Sequence, residues 1–154
     1  MSNKRVVFPF AEAGMGHIIP MRGIADAFEH NYGDRVDCVR SRFFTESGNE
    51  SLKAFEDRMR NSVERQNKDR SFGFFMTDSM NFWGARISTR SSARYLKSGA
   101  FEAAVLHMDE LEPGVVISTH WSTNYFACKC NRKPATVLYC PDPRTYPLYN
   151  YPCD

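Results

Sequence analysis

A chain of 154 residues, 42% of them hydrophobic, is long enough for one domain with a core of its own, so neither a metal nor a disulfide is needed to explain folding. The net charge of +2 argues against nucleic acid as a partner, because nucleic-acid binders carry a far stronger basic bias. No run of about 18 apolar residues occurs, and Lys4-Arg5 precedes only a handful of apolar residues before Glu12, so neither a membrane span nor a signal peptide is expected.

The chain opens on an apolar run, Val6 to Phe10, that reads as a buried strand. Beyond it, Ile18, Met21, Ala25 and Phe28 recur at the three-and-four spacing of one helix face. The stretch between, ending in Gly14-Met15-Gly16-His17-Ile-Ile-Pro20, is therefore a strand-to-helix turn. Both glycines are expected to take φ > 0 and let the backbone approach a ligand, and Pro20 is expected in the first helical turn. Free amides at such a helix start form an anion site, and the helix dipole there disfavours imidazolium, which makes His17 a candidate neutral base near pH 7. The alternative for His17 is a cap or surface group.

Asn31-Tyr32-Gly33-Asp34 is a stop signal, and Arg35 to Val39 a short second strand. Leu52, Phe55, Met59 and Val63 stripe an ordinary surface helix from Glu50 to about Lys68. Phe72, Phe74 and Phe75 surround Gly73 in either a buried connector or an exposed apolar lip. Across about Ser79 to Leu96, Arg86, Arg90, Arg94 and Lys97 share one helix face, beside a stripe of Trp83, Ile87 and Tyr95. That pattern suits either a solvated face beside a core-facing one or a helix resting on an anionic membrane surface.

Phe101, Ala104, Val105 and Met108 mark another helix, stopped by Glu112-Pro113-Gly114. Val115-Val116-Ile117 then reads as a wholly apolar strand at the centre of a parallel sheet. Ser118 or Thr119 is expected to cap the helix that follows to about Cys130, and Ala135 to Cys140 makes a further strand. The five cysteines, Cys38, Cys128, Cys130, Cys140 and Cys153, show no paired spacing and are expected as reduced thiols. Cys128 and Cys130 lie two apart on a helix and point in different directions, so no zinc site is expected. The aromatic, Pro-rich stretch from Pro141 to Asp154 lacks a closing element, which leads to the expectation of one domain of a larger protein.

Strands alternating with helices imply an α/β fold, a Rossmann-like open parallel sheet flanked by helices. In such sheets ligands bind beyond the carboxyl ends of the strands, where the loops carry Gly14 to His17, Ser118 to Trp121, and Pro141 to Arg144. Gly14-x-Gly16 is not a dinucleotide fingerprint, since Ile19 occupies the third glycine position, and it lacks the Gly-Lys-Ser/Thr of a phosphate-binding P-loop.

The turn does resemble the opening of GT-B glycosyltransferases, particularly the monogalactosyldiacylglycerol synthase group and the related peptidoglycan N-acetylglucosaminyltransferases. Those proteins begin with an apolar strand, a loop close to Gly-x-Gly-His-x-x-Pro and a helix rich in Ala, Ile and Leu, here Gly14 to Pro20 leading to Gly23-Ile-Ala-Asp-Ala27. Val115 to His120 is similar to the family's strand ending in a Ser/Thr-His step, and the strand from Ala135 followed by Asp142 is a third similarity. The chain departs from the pattern at Glu12 and Ala13, at Trp121, and at Asp142, which Pro141 displaces.

The resemblance implies that residues 1–154 are the acceptor-binding N-terminal half of a two-domain GT-B enzyme, with the nucleotide-sugar-binding half elsewhere. It implies transfer of a hexose from a nucleotide sugar to a lipid, diacylglycerol-like acceptor, at the cytoplasmic face of a membrane to which the protein is peripheral. No metal or other cofactor is implied. His17 is then the candidate base, and Gly14, Met15, Gly16, His120, Trp121 and Asp142 the candidate substrate-binding residues. His120 equally suits helix capping, and Pro141-Asp142-Pro143 a plain turn. Two other readings remain open: a noncatalytic binding or membrane-docking subunit that borrows a catalytic chain, and half of a nucleotide-sugar epimerase.

Overall fold

The computed structural model describes residues 4–12, 14–75 and 100–141. In chain order they form β1 (Lys4–Phe10), α1 (Met15–Tyr32), β2 (Val36–Arg42), α2 (Phe43–Glu46), α3 (Glu50–Lys68), α4 (Ala100–Glu110), β3 (Val115–Ser118), α5 (Trp121–Lys129) and β4 (Ala135–Leu138). The strands make one four-stranded sheet in the order β2-β1-β3-β4, and every pairing is parallel. This is the α/β, Rossmann-like open sheet that the alternation of elements predicts.

Period-two alternation divides the core between the two faces of the sheet. Val7 and Val116 point to one side, where they meet Phe43, Phe44, Ala104, Met108 and Phe126 from the helices α2, α4 and α5. Val6, Phe8 and Ile117 point to the other, against Ile18, Met21 and Ala25 of α1. Both central strands are thus covered on both faces, which is why Val6 to Phe10 of β1 and Val115 to Ile117 of β3 read as unbroken apolar runs.

The order of the strands creates a switch point. From β1 the chain crosses one way to β2, then returns past β1 to reach β3 on its other side. Ligands of open α/β sheets bind at the carboxyl ends of the two strands that flank such a reversal. Here those strands also part company early: β1 pairs with β2 as far as Phe10–Arg42, but with β3 only at Val6–Val115 and Val7–Val116. Pro9, just beyond that last pair, has no amide hydrogen with which to extend the ladder.

Several expectations need correction. Only Gly14 takes a positive φ in the first loop, because Gly16 is already the second residue of α1 and adopts helical geometry. Pro20 falls inside α1, beyond its first turn, because the helix begins at Met15. The residue that caps α5 is His120, just beyond the expected Ser118 or Thr119, since β3 runs on through Ser118. α3 is more than a surface helix, for Glu56 on it is only 2% exposed and holds the first loop. Of the described cysteines, Cys38, Cys130 and Cys140 are thiols as expected, but Cys128 is disulfide-bonded; pairing depends on spatial neighbours that spacing in the sequence does not reveal.

The open choice at Gly73 resolves as an exposed lip, with Phe74 71% and Phe75 66% accessible in a helical segment at 70–75, while Phe72 lies under the Arg65 guanidinium. Trp83, Arg86, Arg90, Arg94, Lys97 and Asp142, with the basic helix expected around them, lie outside the described residues.

Candidate functional site at the switch point

Gly14 makes the entry to the site possible. Its φ of 134° and ψ of 158° lie in a region essentially closed to residues with a Cβ, and they turn the chain from β1 into α1. As N-cap it offers no side chain to the helix, and the first turn holds no acidic residue. Met15 and Gly16, which follow, are both exposed. The amides of this first turn, left without intrahelical partners in any helix, therefore receive no side-chain cap at the switch point.

His17 hangs from that same turn and crosses to the neighbouring strand end. Its Nδ1 lies 2.7 Å from the carbonyl oxygen of Thr119, and Thr119 Oγ1 donates to the carbonyl of His17 at 2.9 Å. A carbonyl only accepts, so Nδ1 carries a proton, and in the neutral ring Nε2 carries the lone pair. No described residue hydrogen-bonds to that Nε2. Backbone geometry thus fixes the tautomer that a general base needs, in the way second groups orient a catalytic histidine elsewhere.

His120 shows the opposite arrangement. Its Nδ1 accepts from the amide of Ser122 at 3.3 Å and lies 2.7 Å from the Ser122 hydroxyl, so the neutral ring carries its proton on Nε2. Burial, reinforced by the neighbouring His17, pushes its pKa down to about 3, and the ring is neutral near pH 7. The two imidazoles meet nearly at right angles, with ring centres 5.0 Å apart. Trp121, half-buried, stacks at a tilt 5.6 Å from His120 on the other side.

Buried polar groups hold this corner in place. Thr119, Ser122 and Thr123 are inaccessible to solvent, and Thr123 Oγ1 donates to the carbonyl of His120 at 3.0 Å. On the other side of the site, the carboxylate of Glu56 accepts from the amide of Glu12 and from Thr45 Oγ1. Glu12 in turn receives Arg42 Nη2 at 2.7 Å. The loop that presents Gly14 and His17 is thereby tied to α2, α3 and the end of β2. Sequence reasoning missed Glu56 because one carboxylate on a charged helix carries no mark of burial. Thr119 it assigned to helix capping.

Alongside the site, Pro20, Gly23, Ile24, Ala27 and Phe28 of α1 form an apolar groove with Tyr139, which follows β4 and hydrogen-bonds its amide to the carbonyl of Ser118. Ile19, 60% exposed, stands on the same helix. A larger hollow at the opposite, amino-terminal edge of the sheet is lined by Lys4, Arg5, Asp37, Glu112 and Arg132. Ion pairs of Arg5 with Asp37 and of Arg132 with Glu112 engage four of its five charged side chains, and it lies at the end of the sheet where such folds do not bind ligands.

The structure therefore brings together Gly14, Met15, Gly16, His17, His120 and Trp121 from two of the three expected loops. Tyr139, just ahead of the third, lines the neighbouring groove, while Asp142 is outside the described residues. Among the described residues no three His, Cys, Asp or Glu side chains gather to hold a metal ion, and no helix is long and apolar enough to cross a membrane.

Comparison with protein-family models, with curated proteins and with solved structures finds no match to this chain.

Proposed function

We propose that this chain is the acceptor-binding domain of a glycosyltransferase of the GT-B type, which moves a hexose from a nucleotide sugar to a lipid, diacylglycerol-like acceptor. The observation that carries the reading is the His17–Thr119 hydrogen bond. It joins the glycine-histidine loop and the Ser/Thr-His step at the switch point and leaves His17 Nε2 as an acceptor. In the reaction the acceptor hydroxyl gives its proton to Nε2 while its oxygen attacks the anomeric carbon. The bond from that carbon to the nucleotide breaks, and the nucleoside diphosphate departs with the charge.

The uncapped first turn of α1 favours negative charge beside the reacting oxygen through its free amides and dipole. The apolar groove along α1 suits an acyl chain of the acceptor. A second α/β domain, in the same chain or a separate one, supplies the nucleotide-sugar site, and the assembly works peripherally at the cytoplasmic face of a membrane. No bound cofactor enters this scheme.

The test is an assay of the protein in its full reading frame, with labelled nucleotide sugars and diacylglycerol-containing vesicles. Transfer of the label to lipid is expected, together with little or no turnover by residues 1–154 alone. Absence of transfer across a broad donor panel, with the protein folded, removes the proposal. Robust turnover by the 154-residue chain refutes the assignment of the donor site to another domain.

A further inference from the structure

His120 has an unspent capability. An N-cap needs one acceptor, which Asn, Asp or Ser supplies with a smaller side chain. The imidazole fills that role through Nδ1 and carries, on its far side, an N–H with no hydrogen-bonding partner among the described residues. The residue is only 6% exposed, so little of the ring besides this N–H is open to a ligand. Its neighbour His17 is fixed in the complementary form, a lone pair at Nε2, with the two rings in contact.

We propose that His17 and His120 act as a matched pair on a single ligand: His17 Nε2 accepts from a hydroxyl, and His120 Nε2–H donates to a second oxygen on the adjacent carbon. The pair then selects molecules that carry a hydroxyl beside another oxygen. A glyceride, with a free hydroxyl next to an ester, and a hexose, with neighbouring hydroxyls, share that chemistry. A simple alcohol lacks it. Neutrality of His120 follows from its burial, so Nδ1 stays free to accept from Ser122 while Nε2–H faces away as a donor. This inference rests on the reading of the switch point as an acceptor site, and it adds a residue that tells one acceptor from another.

Imidazole nitrogen spectra of the 15N-labelled 154-residue chain at pH 7 test the pairing directly. His17 is expected to be protonated on Nδ1 and His120 on Nε2; either ring in the other tautomer overturns the proposal. Titration with 1,2-dihexanoylglycerol, methyl galactopyranoside and 1-propanol follows. At least one of the first two is expected to shift Nε2 of both rings, and to bind about tenfold or more tightly than propanol, the equivalent of one good hydrogen bond. Response of a single ring, or of neither, to both dioxygen probes overturns the pairing. Response of both rings to the hexoside but not to the glyceride upholds the pair and defeats the lipid-acceptor reading.

Two variants complete the test. His120→Asn keeps a cap for Ser122 and loses the second N–H, so it is expected to fold as the parent does and to bind the responding probe about tenfold more weakly. His120→Gln, whose amide N–H reaches to the place of Nε2–H, is expected to retain affinity within about threefold. Equal affinities for His120→Asn and the parent overturn the donor role.

Discussion

The imidazole of His17 and the backbone carbonyl of Thr119, 102 residues apart in sequence, are joined by a 2.7 Å hydrogen bond that crosses the gap between β1 and β3. The bond decides which nitrogen of His17 is free, and the reciprocal bond from Thr119 Oγ1 to the carbonyl of His17 fixes the turn from which the ring hangs. A base held on both sides in this way needs little reorganisation before it takes a proton. Loss of the ring should therefore damage catalysis more than folding. On the proposed function, His17→Gln in the protein in its full reading frame is expected to lower turnover by roughly 10²–10⁴-fold, the usual contribution of a positioned base. Circular dichroism of the variant should match the parent. Turnover within threefold of the parent would remove His17 from the mechanism.

Thr119 acts on that base through its backbone and its hydroxyl, and the two roles separate by substitution. Thr119→Val keeps the carbonyl and the shape but deletes the Oγ1 donor, leaving the carbonyl of His17 without this partner. A loss of about 1 kcal/mol in urea unfolding is expected, and Thr119→Ser should recover most of it. The catalytic consequence is expected in kcat more than in KM, because the contact orients the base and does not touch the acceptor.

Much of this arrangement is written in the order of residue types. The apolar runs at Val6 to Phe10 and Val115 to Ile117 are doubly covered strands because nothing but apolar side chains occurs in them, and their helices follow the three-and-four spacing of Ile18, Met21 and Ala25. Which loops meet also follows from parallel topology. What sequence does not carry is the burial of single polar groups. Glu56 looks like any carboxylate of a charged helix until α3 is laid against the first loop. His120 looks like a ligand-binding residue or a cap, and it turns out to cap α5 with one nitrogen while the other stays without a described partner. The helical turn Phe43–Glu46 went unread because β2 runs straight into it without a glycine or proline.

Burial of His120 also writes a pH dependence into stability. Unfolded, the ring takes up a proton near its ordinary 6.5; folded, it does so only near 3. Between those values the unfolded chain binds one more proton, so acidification favours unfolding. The contribution is whole above about pH 6.5 and drains away as the pH falls, by up to about 1.4 kcal/mol per unit. Asp109, where burial is outweighed by bonds from the amides of Asn131 and Arg132, is held below its ordinary 3.8 and adds the same sign only in stronger acid. Denaturant unfolding between pH 7 and 4.5 should thus show a slope that His120→Asn removes. Parallel curves for the two proteins would mean that the folded ring protonates normally.

Glu56 is expected to govern the order of the first loop. Glu56→Leu preserves bulk and leaves the Glu12 amide and the Thr45 hydroxyl without the carboxylate they share, an expected cost of about 2–4 kcal/mol. Hydrogen exchange at the Glu12 amide should accelerate well beyond the global effect, since the bond lost is its own. If exchange at Glu12 follows only the change in global stability, the loop is held by other contacts.

The two glycines of the first loop are expected to respond to alanine in opposite directions. Gly14, at φ 134° and ψ 158°, sits where a Cβ is strained whatever space surrounds it, and that Cβ would also touch Val63 Cγ1 at 3.4 Å. Gly14→Ala should cost about 1–3 kcal/mol and disturb the presentation of His17. Gly16 is helical, and no atom outside its own turn lies within 4 Å of where a Cβ would stand. Alanine there should leave stability unchanged or raise it by up to about 1 kcal/mol. Thermal unfolding distinguishes the two, and the spectrum of His17 adds a second readout. Gly16→Ala keeps the fold but places a methyl at the exposed first turn, so weaker probe binding by this variant, at full stability, would show that the ligand approaches the backbone there. If Gly14→Ala proves as stable as Gly16→Ala, the turn from β1 into α1 does not require the geometry that brings His17 to Thr119.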